Sequence, residues 1–105
     1  MFWGSFFVEG NIMEYNDFVW DEDKYYSNIK KHNVDFYEAA TVFEDPNSVL
    51  EEDEQHSYDE ERFTIIGMSE ELRILMVCHC YRENDITRII SARKANKKEI
   101  KKYQG

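Results

Sequence analysis

Three consecutive segments in the second half of the chain have the composition of β-strands. They are "RFTIIGM" from Arg62, "RILMVCHCY" from Arg73 and "ITRIISA" from Ile86, each rich in β-branched or other apolar residues. The segments between them, "SEE" and "REND", are short enough to be tight turns. Because tight turns join antiparallel neighbours, this pattern predicts that the three strands lie side by side in one sheet.

The first half of the chain predicts two helices. "DFVW" alternates as a short strand does, and Asp21 can then accept hydrogen bonds from the free amides of a helix that begins at "EDK". This helix has a stripe of residues at helical spacing along one face, formed by Tyr25, Ile29 and His32. Asn33 suits the left-handed turn that ends the helix.

A capping-box pattern begins the second helix, with Asp35 as N-cap and Glu38 three residues later. The buried side of this helix is predicted to contain Phe36, Ala39, Ala40 and Phe43, and Pro46 closes it. Asn96 and Glu99 form a similar pair at a C-terminal helix. The order of elements predicts an α+β domain, an antiparallel sheet of about four strands with its helices on one face.

Length and composition favour one domain, because 105 residues with 42% hydrophobic content fill one modest core. Residues 13–105 are predicted to form this domain. Residues 1–12 differ in character, and Met13 is a natural second beginning, so we interpret them as an N-terminal extension or a mis-called start. The alternative is an ordinary N-terminal strand or flexible tail.

The cysteines indicate a reducing compartment. Cys78 and Cys80 are two residues apart in a predicted strand, where both thiols share a face and are poorly placed to bridge. His79 points to the opposite face, which argues against a metal site at "CHC". No apolar run approaches the roughly 20 residues of a membrane span, and the start lacks signal-peptide features. We therefore expect a cytoplasmic protein without a metal.

Charge is distributed unevenly along the chain. Residues 82–102 carry +5, with eight Lys and Arg against three acids, although the whole chain carries −9. The stretch from Glu44 to Glu61 contains nine acids and no Lys or Arg. This acidic stretch suits a solvated loop, a surface that repels nucleic acid, or a contact with a basic partner. The positive end suits an anionic ligand such as RNA phosphate.

Several ordered motifs resemble the BrnT-type ribonuclease toxins. The family pattern W-D-x-x-K-x-x-x-N-x-x-K-H, then V-x-F-x-E-A and D-P, matches at Trp20, Asp21, Lys24, Asn28, Lys31, His32, Val34, Phe36, Glu38, Ala39, Asp45 and Pro46. "EERFTIIG" and "RIISARKANKKE" are similar to the family's middle strand and closing signature. The resemblance covers nearly all of the chain from Met13 to Tyr103. Asn33 stands where the family usually has Gly.

This resemblance implies a fold similar to RelE-type toxins and a role as the toxin of a type II toxin–antitoxin pair. It implies a metal-independent endoribonuclease that needs no cofactor and is neutralised by a BrnA-type antitoxin. The partners implied are therefore RNA and the antitoxin, with DNA reached only through their complex. Cleavage without a metal uses the adjacent 2′-hydroxyl as nucleophile, which requires a proton acceptor and fixed cations at the phosphate.

Arginine suits the phosphate because its planar guanidinium holds two oxygens at once. Arg93 is our first candidate, at the end of the last strand, and Arg62 is the second; a structural ion pair is the alternative for each. Regular alternation puts Arg88, Ile90 and Ala92 on one face and Ile89, Ser91 and Arg93 on the other, so Arg88 and Arg93 are expected to have different roles.

Histidine and lysine complete the candidate set. His79 and His32 are candidates for proton transfer, although His79 also fits a half-buried strand position and His32 a helix C-terminus. The candidates for RNA binding besides Arg88 are Lys24, Lys94, Lys97 and Lys98. A rival hypothesis is a catalytically silent protein of the same fold that only binds a partner. A DNA-binding regulator is a third, weaker because no helix-turn-helix is evident.

Overall fold

A computed structural model describes residues 11–105. Within them, the strands are β1 (Ile12–Tyr15), β2 (Phe18–Asp21), β3 (Val49–Glu52), β4 (Phe63–Met68), β5 (Ile74–Arg82) and β6 (Ile86–Lys94). The α-helices are α1 (Glu22–His32), α2 (Phe36–Thr41) and α3 (Lys97–Gln104). The extension predicted at residues 1–12 lies almost entirely outside the described residues, although Ile12 is already part of β1.

The six strands form one mixed sheet in the order β1-β2-β6-β5-β4-β3. The strands β2 and β6 run parallel, with Phe18 opposite Thr87 and Val19 opposite Arg88, and the other neighbouring pairs are antiparallel. The α+β class is confirmed, whereas the prediction of an antiparallel sheet with about four strands was wrong in number and in the parallel pair. The expected similarity to RelE-type toxins stays a prediction.

The helix ends follow the local sequence. Asp21 accepts hydrogen bonds from the backbone amides of Asp23 and Lys24 at the start of α1, and Asn33 ends this helix with a left-handed φ of 58°. Asn96 and Glu99 form a complete capping box at α3. These caps satisfy amides that a helix start otherwise leaves without partners.

The capping box predicted for α2 forms only in part. The Asp35 carboxylate accepts from the amide of Glu38, as expected. The Glu38 carboxylate is instead buried, where it accepts hydrogen bonds from Ser69 and Arg73. Burial acts to raise the pKa of Glu38, but these hydrogen bonds hold it below its usual value. The ion pair thus ties α2 to the turn between β4 and β5.

One face of the sheet, the inner face, packs against α1 and α2 around a single core. Its buried residues are Trp20, Val34, Phe36, Ala39, Ala40, Val42, Ile65, Leu75, Val77, Ile89 and Ala92. The aromatic ring of Trp20 stacks on Tyr25 and meets Phe36 and Tyr37 edge to face. Phe43 lies at the margin of this core, because it is only partly buried.

Asn28 joins α1 to β6 from within this core. Its amide nitrogen donates to the carbonyls of Val34, at 2.9 Å, and Ala92, at 2.7 Å. Its amide oxygen accepts from the backbone N–H of Ala92 at 3.0 Å. Asn28 therefore supplies the hydrogen bonds that a neighbouring strand would give to β6 at this position.

Among residues 11–105, the other face, the outer face, is covered only in part, by α3. Ile66, Met76 and Arg93 form one row across β4, β5 and β6, and Arg93 is paired with Glu99 of α3. Lys102 of α3 lies 2.9 Å from Glu51 of β3. The prediction that all helices share one face was therefore wrong for α3. No helix among residues 11–105 is long and apolar enough to cross a membrane.

Candidate functional site

Beside α3, the outer face continues over β5 and β6. Cross-strand pairs place Cys80 opposite Arg88, Cys78 opposite Ser91 and Met76 opposite Arg93. In β4, Thr64 is opposite Cys78 on the same face. These residues form a strip of mixed polarity across the middle of the sheet, with α3 at one side and Cys80 buried within it.

A β-bulge in β6 changes which residues face this strip. Cys78 pairs with Ser91 and the next residue, His79, pairs with Ile89, so Ile90 is an additional residue in β6. As a result, Ile89 and Ala92 both enter the inner core, and Arg88, Ser91 and Arg93 all face outward. The expected separation of Arg88 and Arg93 onto opposite faces was wrong, because the bulge shifts the alternation by one residue.

Two arginines of the outer face are already paired with carboxylates. Arg93 donates to both oxygens of Glu99, at 2.9 Å each. Arg82, at the end of β5, donates to Glu60 and also lies 3.3 Å from the thiol of Cys80. The hydrogen bond from Arg82 holds the pKa of Glu60 below its usual value. Arg93 was the first candidate for a phosphate ligand, with a structural ion pair as the alternative role. The structure places Arg93 in an ion pair with Glu99.

Arg62 and Arg88 are the outer-face arginines without such a partner. Neither forms a salt bridge with a carboxylate in the part of the chain that the structure describes. Both side chains are half-buried, so they are held against the sheet rather than extended into solvent. Arg62 precedes Phe63, which stacks on the inner-face residue His79, so alternation directs Arg62 outward.

The thiols of Cys78 and Cys80 lie between these arginines. Burial raises the pKa of both thiols. The charge of Arg62 opposes this effect at Cys78, and the charges of Arg82 and Arg88 oppose it at Cys80. Arg62 therefore acts on the Cys78 thiol, and Arg88 acts on the neighbouring Cys80 thiol of the same strand face. The outer face therefore carries both arginines, Arg62 just before β4 and Arg88 in β6.

His79 belongs to the inner face. It is fully buried, and its ring meets Phe43 at a centroid distance of 4.8 Å. Nδ1 lies 3.3 Å from the carbonyl of Val77, which can only accept, so Nε2 accepts from the hydroxyl of Tyr81 at 3.1 Å. Burial lowers the pKa of His79 to about 4. The expected half-buried position was wrong, and the ring lies on the face opposite the arginine strip.

The remaining candidates do not converge on the outer face. His32 and Lys24 are exposed on α1, which packs on the inner face. Lys94 is opposite the inner-face residue Leu75 and is exposed at the end of β6. Lys97 and Lys98 are exposed in the first turn of α3, and among the predicted lysines they are the ones on the outer-face helix.

One histidine was missed by the analysis of the sequence. His56 lies in a 3-10 turn, Glu54–His56, and its Nδ1 atom is 2.9 Å from Oδ2 of Asp53. The sequence signal was the spacing in "DEQH", where a carboxylate three residues before a histidine is one turn away. No group of three or more His, Cys, Asp or Glu that could hold a metal ion occurs in residues 11–105.

Comparison with known proteins identifies the class as a ribonuclease toxin. The model of the family described as "Ribonuclease toxin, BrnT, of type II toxin-antitoxin system" matches residues 20–99. The chain therefore belongs to the BrnT family. The 1.1 Å crystal structure of the Brucella abortus ribonuclease toxin BrnT is similar, with a TM-score of 0.57 and 25% sequence identity. That match covers 74% of this chain and 94% of the Brucella chain. No curated protein sequence matches.

Proposed function

We propose that this protein is the toxin of a type II toxin–antitoxin pair, and that it cleaves RNA on the outer face of its sheet. The observation that carries the proposal is the pair of half-buried arginines, Arg62 and Arg88, which form no salt bridge with a carboxylate within residues 11–105. Fixed guanidinium groups beside a partly covered sheet are suited to hold a phosphodiester. Membership of the BrnT family supports the same activity.

The chemistry proposed is metal-independent transesterification. The 2′-hydroxyl attacks the adjacent phosphorus, and Arg62 and Arg88 stabilise the charge that develops on the phosphoryl oxygens. The basic residues of α3, Lys97 and Lys98, contact neighbouring phosphates, while the acidic remainder of the chain lowers affinity elsewhere. A BrnA-type antitoxin inhibits the toxin in the cytoplasm, and DNA is met only through this complex.

Arg93 has a supporting role in this scheme. Its two hydrogen bonds to Glu99 hold the start of α3 beside the strip, so that its guanidinium is committed to an ion pair. The phosphate ligands are therefore Arg62 and Arg88, in a reversal of the order that the sequence suggested. Lys24 and His32 lie on α1 and are not part of the site.

The test is cleavage of an end-labelled RNA in the presence of a chelator. Wild-type protein is expected to cut, and Arg88→Gln is expected to reduce the rate about 100-fold, because one preorganised donor to the transition state is lost. Lys24→Gln is the matched control, since it removes one positive charge from α1 and is expected to retain the activity. Activity that appears only after a divalent metal is added contradicts the proposed chemistry.

If folded wild-type protein cuts none of several RNAs, the catalytically silent binding protein is the better description. If it cuts RNA but the two variants cut equally well, the activity lies elsewhere on the molecule. Circular dichroism of each variant establishes that loss of cleavage is not loss of folding. The rate is also expected to fall steeply with rising salt, because phosphate contacts release counterions.

A further inference from the structure

His56 and Asp53 form a dyad at the edge of the outer face. Nδ1 of His56 lies 2.9 Å from Oδ2 of Asp53, and the Asp53 side chain is 19% exposed while that of His56 is 55% exposed. The Asp53 carboxylate is thus largely shielded from solvent. The second ring nitrogen, Nε2, has no hydrogen-bond partner in the described part of the chain.

Backbone hydrogen bonds hold this dyad beside Arg62. The amide of Asp53 donates to the carbonyl of Arg62 at 2.7 Å, which extends the pairing of β3 and β4 by one residue. Ser57 closes the turn, since its hydroxyl donates to the carbonyl of Asp53 and accepts from the amide of Arg62. The turn that carries His56 is therefore attached to Arg62, the proposed phosphate ligand that immediately precedes β4.

Strand alternation places the Asp53 carboxylate on the outer face. Glu51 is opposite Thr64, and Thr64 is opposite the outward-facing Cys78. Asp53 is two residues after Glu51 and shares its face. In agreement, the charges of both Asp53 and Arg62 affect the pKa of the Cys78 thiol, which Asp53 raises and Arg62 lowers. His56 is thereby brought to the same surface as Arg62, whereas His79 and His32 are not.

The hydrogen bond to Asp53 determines where the imidazole can take a proton. An ionised carboxylate only accepts hydrogen bonds, so neutral His56 must carry its hydrogen on Nδ1. Nε2 then has a free lone pair directed away from Asp53. A carboxylate that holds a histidine in one tautomer in this way is a recurrent arrangement in acid–base catalysis.

We propose that His56 is the proton acceptor of the RNA cleavage reaction and that Asp53 positions it; this inference rests on the proposed function. Nε2 takes the proton of the 2′-hydroxyl while the 2′-oxygen forms a bond to phosphorus. The bond from phosphorus to the 5′-oxygen breaks, and the departing oxygen takes a proton from water. The products are a 2′,3′-cyclic phosphate and a 5′-hydroxyl, and His56 returns its proton to solvent.

The test compares three variants of the full chain in the RNA cleavage assay. His56→Gly is expected to reduce kcat at least 100-fold, within the range of about 100-fold to 10,000-fold typical of a lost general base. Added imidazole is expected to restore part of this rate, which a purely structural histidine cannot explain. His32→Gly is the matched control, because it removes an exposed histidine from α1, and it is expected to keep wild-type activity with no response to imidazole.

Asp53→Asn tests the positioning role. The amide that replaces the carboxylate carries no charge and can no longer select the tautomer of His56, so kcat is expected to fall about tenfold while KM stays unchanged. If His56→Gly cuts RNA at the wild-type rate, or if imidazole has no effect on it, the assignment of His56 is wrong. If the wild-type protein itself cuts no RNA, the proposed function fails and this assignment fails with it. Wild-type activity therefore separates the two failures.

Discussion

The buried His79 makes the stability of this protein depend on pH. Burial lowers the pKa of His79 to about 4, compared with 6.5 for an ordinary histidine. Between these values the unfolded chain binds a proton that the folded chain does not, so acid favours unfolding. The contribution of His79 to stability is complete above pH 6.5 and is lost as the pH falls towards 4.

The size of the effect follows from these two values. Over the whole interval the loss is about 3 kcal/mol, at roughly 1.4 kcal/mol for each pH unit. Between pH 7 and pH 5 the expected loss is about 2 kcal/mol. Carboxyl groups with lowered pKa values, such as Glu38 and Glu99, also destabilise the fold in acid, but they titrate mainly below this window.

Urea unfolding followed by circular dichroism at pH 7 and pH 5 measures the loss. His79→Phe is the informative variant, because an aromatic ring suits the contacts with Phe43 and Phe63 and cannot be protonated. It is expected to unfold at nearly the same urea concentration at both pH values. His32→Phe is the control and should keep the wild-type dependence. If His79→Phe loses as much stability as wild type, the reasoning about burial is wrong.

Two further substitutions test contacts that hold the sheet. Asn28→Ala removes three buried hydrogen bonds and leaves the backbone N–H and C=O of Ala92 without hydrogen-bond partners. The free energy of unfolding of this variant should fall by about 3 kcal/mol, whereas Ser27→Ala, at an exposed position, should change it negligibly. A loss below about 1 kcal/mol for Asn28→Ala contradicts this role. Gly67→Ala puts a methyl group 2.9 Å from Cγ1 of Val42 and should cost about 1 to 3 kcal/mol in the same urea titration. An unchanged midpoint for this variant means that the neighbouring loop yields without cost.

Local features of the fold were predictable because they depend on residues close in sequence. Asp21 and Asn96 cap their helices as predicted, since each needs only amides two or three residues away. The capping box at Asp35 formed in part because Arg73, 35 residues distant from Glu38, competes for the Glu38 carboxylate. A local pattern contains no information about such a distant partner.

The faces of β6 were not predictable in the same way. Alternation in a regular strand would place Arg88 and Arg93 on opposite faces. The bulge at Ile90, which puts them on the same face, is evident only from the pairing of β6 with β5. The predicted site was wrong for the same reason, because Arg88 and Arg93 were assigned to different faces of the sheet. Arg93 was ranked above Arg88 for its basic neighbours, although Glu99, six residues later, is its partner.

The histidines show the same limit. His79 and His32 were the candidates for proton transfer because an ordinary histidine titrates near neutrality. His56 lies in an acidic stretch, which was interpreted as a solvated loop, a surface that repels nucleic acid or a contact with a basic partner, and not as a source of a catalytic histidine. Its contact with Asp53 is local, but its place beside Arg62 depends on how β3 meets β4.

The parallel pair of β2 and β6 also has a consequence for synthesis on the ribosome. β2 is among the first strands to be made, and its partner β6 is the last. The hydrogen bond from Asn28 likewise requires Ala92, which lies 64 residues later in the chain. A chain with such distant pairings closes its sheet slowly and late. The proposed RNA-cutting surface, which includes Arg88, is therefore assembled only after β6 has been translated, so an unfinished chain lacks this surface.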